Sequence, residues 1–244
     1  GGLGLILGNL FGKILAVINL NLKWLKINSV LKILNKDLIQ LLKKYKQFPL
    51  VSLPGSLVNS IGLYFPVFVF SEVYGMFYLG LFGFAEKVVR SPLNIIGKSI
   101  QNVYLGELSN FIQVNKFGEC YTLFISTLKK LVLIGLLPSL ILGLFGEYFF
   151  DFAFGSEWSQ SGVFVSLLSP LLFFRFISSP FLHTLNLLEK QKRLFMWELL
   201  RLFFVASSFV FSLIYDLDPF QCILLYSAIS SIAYLYVLLI SESA

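Results

Sequence analysis

Seven apolar stretches of roughly 20 residues each dominate the chain and decide what it can fold into. A helix that crosses the hydrocarbon core of a bilayer, which is about 30 Å thick, needs roughly this many apolar residues. A membrane β-barrel would instead alternate apolar and polar residues, and these stretches do not. We therefore expect an all-α, polytopic bundle of transmembrane helices. The predicted spans are 3–20, 51–70, 77–105, 128–150, 163–188, 195–214 and 221–240.

Composition supports a membrane protein over a soluble one. Hydrophobic residues make up 57% of the chain and charged residues 13%, whereas soluble domains have about 45–50% apolar and about 25% charged residues. A chain of 244 residues cannot hide that excess from water, so much of it must face lipid. The net charge of +6 comes from basic residues confined to short segments between apolar runs. Membrane topology explains that charge, and we expect no nucleic-acid partner.

Charged residues in the loops between the predicted spans alternate along the chain. The first, third and fifth loops contain lysine or arginine, whereas the second, fourth and sixth contain acidic residues and no base. Because basic loops stay in the cytoplasm, the first set is expected inside and the second outside. The same alternation supports counting the charged stretch 77–105 as a span. The basic loops contain Lys23, Lys26, Lys32, Lys36, Lys43, Lys44, Lys46, then Lys116, Lys129, Lys130, then Lys190, Lys192, Arg193; the acidic loops contain Glu72, then Glu147, Asp151, Glu157, then Asp216, Asp218.

Residues 21–50 form a lysine-rich segment that is too charged to span. Leucines recur in it at helical spacing with lysines between them, which is typical of an amphipathic helix lying at the cytoplasmic interface. This basic linker separates a lone helix (1–20) from a six-helix lobe (51–244), and such a lobe is typical of one half of a two-lobed transporter. The chain begins Gly-Gly-Leu, so we expect it to be cut from a longer protein.

Four short strings in or beside the predicted spans carry a family resemblance. They are Tyr45–Leu50 with Ser52–Pro54 and Asn59–Ser60; Arg90–Leu93 with Ile96–Gly97; Phe154–Gly162; and Ser169–Pro170 with Phe176–Pro180. In order and spacing they resemble the Wzx-type polysaccharide flippases of the multidrug/oligosaccharidyl-lipid/polysaccharide exporter superfamily, over about Tyr45 to Lys192. Ser161 departs from the family, in which alanine is usual.

The resemblance implies a protein of two six-helix lobes, of which this chain supplies helix six, the linker and the C-terminal half. It implies a flippase that moves a polyprenyl-diphosphate-linked oligosaccharide across the bacterial cytoplasmic (inner) membrane by alternating access, for surface polysaccharide biosynthesis. The expected partners are the lipid bilayer, the lipid-linked glycan, the missing N-terminal lobe and other polysaccharide assembly proteins.

Charged side chains inside the predicted spans are the candidate binding residues, because a charge at membrane depth needs a partner or a water-filled cavity. In the third span Lys87, Arg90 and Lys98 recur at steps of three or four, together with Asn94, and so share one face. Counting about 1.5 Å per residue puts Arg90 and Arg175 each about 20 Å from the outer end of its span. The two arginines are therefore expected to converge on one site.

A diphosphate suits such a site, because arginine binds phosphate oxygens in pairs and lysine adds a point charge. We predict that Arg90 and Arg175 contact the diphosphate, helped by Lys87. Glu86 is placed to pair with Arg90 and hold it when the site is empty. The alternative is that these charges satisfy one another and only fix helix packing. Lys98, nearer the cytoplasm, is a further candidate, or its ammonium simply extends to the interface.

Asn59, in a seam of small polar residues in the second span, is the last candidate contact. Such residues more often join helices than bind substrate. Glu198 and Arg201, at the start of the sixth span, are expected to form a structural ion pair.

Enzyme motifs are absent from the sequence: it contains no HExxH, no GxSxG, no P-loop and no cysteine cluster. We expect neither a metal nor a cofactor, and no enzymatic activity. Two rival functions remain open. An ion-coupled multidrug exporter of the same superfamily would favour carboxylates in its cavity, whereas the charge here is net basic. A membrane-embedded glycan polymerase or ligase would need a large outer loop, and the outer loops here are short.

Overall fold

The computed structural model describes residues 2–25 and 47–242, and all of the regular structure in those residues is helical. The predicted all-α fold is confirmed. Contacts divide the chain into two compact units, Gly1–Pro49 and Leu50–Ala244, which are described separately. The first unit contains helix α1 (Gly2–Leu25), which includes the predicted span 3–20. That α1 spans the membrane stays a prediction, and most of the predicted basic linker lies outside the described residues.

Six long α-helices form the second unit, and they supply five continuous stretches that are long and apolar enough to cross a membrane. The chain is thus a multi-pass membrane protein. The last four predicted spans each fall in a stretch of their own. The helices are α2 (Gln47–Val69), α3 (Gly75–Gln113), α4 (Phe117–Phe154), α5 (Ser159–Leu187), α6 (Gln191–Ile214) and α7 (Pro219–Glu242).

The second and third predicted spans lie in one helical stretch, Leu50–Gln113, where the sequence predicts a loop at 71–76. The backbone instead passes through a π-helical turn, Phe70–Tyr74, and bends at Gly75, whose φ of 82° favours glycine. With 64 residues the stretch has length for two crossings. The predicted boundaries were also too narrow, because α3 runs on to Gln113 and α4 begins at Phe117.

Helix α5 is the centre of the bundle and packs most extensively against α4, α7 and α3. Its contact with α4 is close because both helices present small residues there: a Cβ on Gly146 would lie 2.5 Å from Ser166 Oγ and 2.7 Å from the Gly162 carbonyl oxygen. Ser166 Oγ also donates a hydrogen bond to the Leu142 carbonyl at 2.9 Å. This packing holds α5, and with it Arg175, against the neighbouring helices.

Candidate functional site

Glu86 of α3 joins two arginines through a single carboxylate oxygen. Its Oε1 accepts a hydrogen bond from Nη1 of Arg90 at 3.2 Å, one turn on in the same helix. It accepts a second from Nη1 of Arg175 in α5, also at 3.2 Å. The ion pair predicted between Glu86 and Arg90 is present, and the two arginines do meet, with Glu86 as their shared partner. These three residues are called the Glu86 cluster below.

The Glu86 cluster is partly open and carries an unbalanced charge. The side chains are 21% exposed for Glu86, 29% for Arg90 and 18% for Arg175, so none of the three is fully enclosed by the described helices. Two guanidinium groups and one carboxylate leave a single net positive charge. Both helices belong to stretches able to cross a membrane, where an uncompensated charge is costly. The cluster is therefore suited to attract an anion.

Hydrogen-bond donors remain for that anion. Within the described part of the chain, Glu86 is the one hydrogen-bond partner of Arg90 and of Arg175, through one Nη1 each. A guanidinium carries five N–H donors, arranged so that two can bind the same phosphate or carboxylate group. The geometry therefore allows an incoming phosphate to bind both arginines.

Two buried tyrosines of α7 complete the surroundings of Arg175. Tyr226 and Tyr234 both lie near Arg175, and Tyr226 also lies near Glu86. They are 8% and 6% exposed, and with Ser230 they share one face of α7 at steps of four residues. Sequence reasoning missed them, although polar residues recurring at this spacing in an apolar span would have indicated an inward-facing stripe.

The predicted lysines lie on the open side of α3. Lys87, Asn94 and Lys98 are all exposed, on the face that they share with Arg90. Lys98 lies eight positions after Arg90, which is about 12 Å along the helix axis. Lys87 thus borders the Glu86 cluster, whereas Lys98 lies at a separate position along the same face.

Asn59, which was a candidate for the binding site, is hydrogen-bonded in a second polar centre. Its Oδ1 accepts a hydrogen bond from Nη2 of Arg201 at 2.7 Å, and its carbonyl oxygen accepts another from the same nitrogen at 3.1 Å. Arg201 also donates from Nη2 to Glu198 Oε2 at 2.9 Å. The ion pair predicted between Glu198 and Arg201 is present, but its link to Asn59 was not predicted. These residues form the Arg201 centre.

The Arg201 centre is closed, in contrast to the Glu86 cluster. The side chains of Arg201 and Glu198 are 4% and 10% exposed. Gly62 lies so near that a Cβ there would be 3.1 Å from Arg201 Nη2. The guanidinium also lies over Trp197, with its Cζ 5.4 Å from the ring centroid. With its charges balanced and its approach blocked, this centre is built to join α2 to α6.

Among the residues that the structure describes, no three histidine, cysteine or acidic side chains are grouped as metal ligands.

A family model described as polysaccharide biosynthesis protein matches residues 3–162. The match covers Glu86 and Arg90 and ends before Arg175. Comparison with curated proteins and with solved structures gave no match.

Proposed function

Because the chain belongs to the polysaccharide biosynthesis protein family, we propose that it is a flippase for a polyprenyl-diphosphate-linked oligosaccharide in the bacterial inner membrane. The observation that carries the proposal is the Glu86 cluster: two arginines on different membrane helices, each 3.2 Å from one shared carboxylate and each partly exposed. A diphosphate would balance the net positive charge of the cluster, and its oxygens would accept hydrogen bonds from the unused N–H groups of both arginines.

Charge neutralisation is the physical task of such a protein. A diphosphate cannot enter the hydrocarbon core unpaired, because burying an isolated charge in a low-dielectric medium is far more costly than burying a paired one. Arg90 and Arg175 would pair with the phosphates, while the polyprenyl tail stays in the lipid. The glycan follows along the open polar face of α3. Alternating access then exposes the same site first to the cytoplasm and then to the outside.

The distribution of charge along α3 gives this path a direction. Lys87, Arg90 and Lys98 all follow Glu86, on the half of α3 predicted to lie toward the cytoplasm, and residues 75–85 contain no charged side chain. Past Glu107 near the end of α3, an anionic head group entering from the cytoplasm would therefore meet cations as far as the Glu86 cluster, and residues 75–85 offer none beyond it. Such an arrangement would speed capture of the head group from the cytoplasm.

The rival exporter of cationic drugs fits the same site less well. It would need a carboxylate free to bind a cation, but Glu86 already accepts hydrogen bonds from two arginines. An added cation would meet a cluster that is already net positive. The rival glycan polymerase or ligase is opposed by the short connections between the described helices, of which Leu188–Lys190 is one example.

The test replaces Arg90 or Arg175 by glutamine in the protein as its cell makes it, in a strain otherwise lacking its flippase. Surface polysaccharide is measured together with the amount of protein in the membrane. We expect each variant to abolish display at unchanged protein levels, whereas Lys130→Gln, an exposed lysine of α4, leaves display intact. Normal display in both arginine variants would refute the diphosphate assignment.

A further inference from the structure

We infer that Glu86 is an internal competitor for the anion site: its carboxylate takes the place of a phosphate oxygen in the empty protein and is displaced when the head group binds. The inference rests on the proposed function and concerns how the same site releases what it binds. Glu86 is thus a residue that sets affinity and release, beyond holding Arg90 in place.

The contacts of Glu86 are those that a bridging phosphate would make. One oxygen accepts from two guanidinium groups that belong to two helices, α3 and α5. A carboxylate and a phosphate both offer acceptor oxygens that match the arginine fork. Because the arginines already converge on one oxygen, an entering phosphate oxygen would find both donors directed at a common point.

The small number of these bonds and their exposure favour exchange. Arg90 and Arg175 each hold Glu86 by one hydrogen bond of 3.2 Å, and the three side chains are 18–29% exposed. The Arg201 centre shows the alternative within the same molecule. There Arg201 donates to Glu198 at 2.9 and 3.3 Å and to Asn59 at 2.7 and 3.1 Å, and it is almost fully buried. Glu86 therefore lies within reach of a ligand, whereas Glu198 is enclosed.

Competition has a use in transport. Without Glu86, two arginines and Lys87 would hold a diphosphate tightly at mid-membrane, and release would limit the rate. A negative charge fixed beside the site repels the bound phosphate and offers the arginines a replacement partner as it leaves. The carboxylate therefore lowers affinity and speeds release, so its loss should raise affinity while lowering transport.

The experiment uses Glu86→Gln, which removes the charge and keeps the shape. Purified wild type and variant in nanodiscs are titrated with farnesyl diphosphate, a soluble isoprenyl diphosphate, by calorimetry. We expect the variant to bind farnesyl diphosphate about tenfold more tightly, because that factor corresponds to the loss of one competing charge-assisted hydrogen bond. We also expect surface polysaccharide display to fall. Glu72→Gln, the same change at an exposed acid of the π-helical turn, is the matched control and should alter neither.

A purely structural role for Glu86 predicts the opposite sign, because loosened arginines would bind the diphosphate more weakly. Equal or weaker binding by Glu86→Gln therefore overturns the inference. So does failure of both Glu86→Gln and Glu86→Ala to accumulate as folded protein, since an exchangeable partner is not required for folding. If Arg90→Gln and Arg175→Gln bind farnesyl diphosphate as the wild type does, the proposed function itself fails, which is a separate result.

Discussion

Arg201 of α6 donates a hydrogen bond to Asn59 Oδ1 of α2 at 2.7 Å, across 142 residues of sequence. The bond closes a buried centre in which Glu198 supplies the balancing charge. The Glu86 cluster uses the same residue types with one arginine in excess and with its side chains partly exposed. The second unit thus contains one charged group that fixes helices and one that is available to a ligand, and different measurements should separate them.

Loss of Arg201 should destabilise the protein. Arg201→Met leaves Glu198 with an uncompensated charge in a nearly dry site, and removing one partner of a buried ion pair costs about 3–5 kcal/mol. We expect a clearly lower midpoint of thermal unfolding in detergent. The double variant Glu198→Gln/Arg201→Met should recover most of the lost stability. The control variant Lys130→Met should have a free energy of unfolding within about 0.5 kcal/mol of the wild-type value. A double variant as unstable as the single one would show that packing, and not charge, holds this centre.

The α3–α5 junction should depend on the sign of charge at Glu86 and Arg175. Glu86→Arg places three guanidinium groups together, and Arg175→Glu leaves two carboxylates with one arginine, so each single variant should lower membrane abundance and the unfolding midpoint. The swap Glu86→Arg/Arg175→Glu again lets one carboxylate bridge two arginines. We expect a favourable coupling energy of about 1–3 kcal/mol between the two sites. Additive losses would mean that the ion pair contributes nothing to the junction.

The close contact of α4 with α5 should tolerate no side chain at Gly162. A Cβ there would overlap the Gly146 carbonyl and lie 2.6 Å from Glu147 Cα, which is backbone and cannot turn away. Overpacking of this kind costs about 1–3 kcal/mol, so Gly162→Ala should lower the unfolding midpoint. A Cβ added to Gly106 of α3 would instead have nothing within 4 Å of it. Gly106→Ala should therefore be neutral or stabilising, since alanine is the better helix former. Equal effects of the two changes would contradict the packing argument.

Hydropathy and charge were enough to predict the helical fold. Each of the last four predicted spans falls in its own helical stretch, because burial in lipid requires a long apolar run and leaves little choice of structure. The loop predicted at 71–76 was wrong in form, since a π-helical turn, Phe70–Tyr74, satisfies most of its backbone and the helix is interrupted only at Gly75. Helix ends beyond the apolar runs, as in α3 and α4, could not be predicted, because a helix continues into water without a hydropathy signal.

Side-chain partners were predictable only where the helix itself fixes them. Glu86 and Arg90 are one turn apart, so their pairing follows from spacing alone. To predict their link to Arg175, one would need the distance and rotation of α5 relative to α3. The equal depth expected for the two arginines was only a partial guide to that arrangement. Asn59 was a candidate substrate contact with helix joining as its alternative. Its side-chain oxygen accepts a hydrogen bond from Arg201 of α6, and no local pattern in α2 indicates which neighbour a polar residue will meet.

The predicted topology can be tested at the two ends of α4. After both natural cysteines, Cys120 and Cys222, are replaced by serine, a single cysteine is introduced at exposed Lys116, before α4, or at exposed Glu157, after it. Because the basic loop is expected in the cytoplasm, a membrane-impermeant maleimide should label Glu157→Cys in intact cells and Lys116→Cys only after permeabilisation. The reverse pattern would place the cationic half of α3 outside, and the direction proposed for the head group would then have to be reversed.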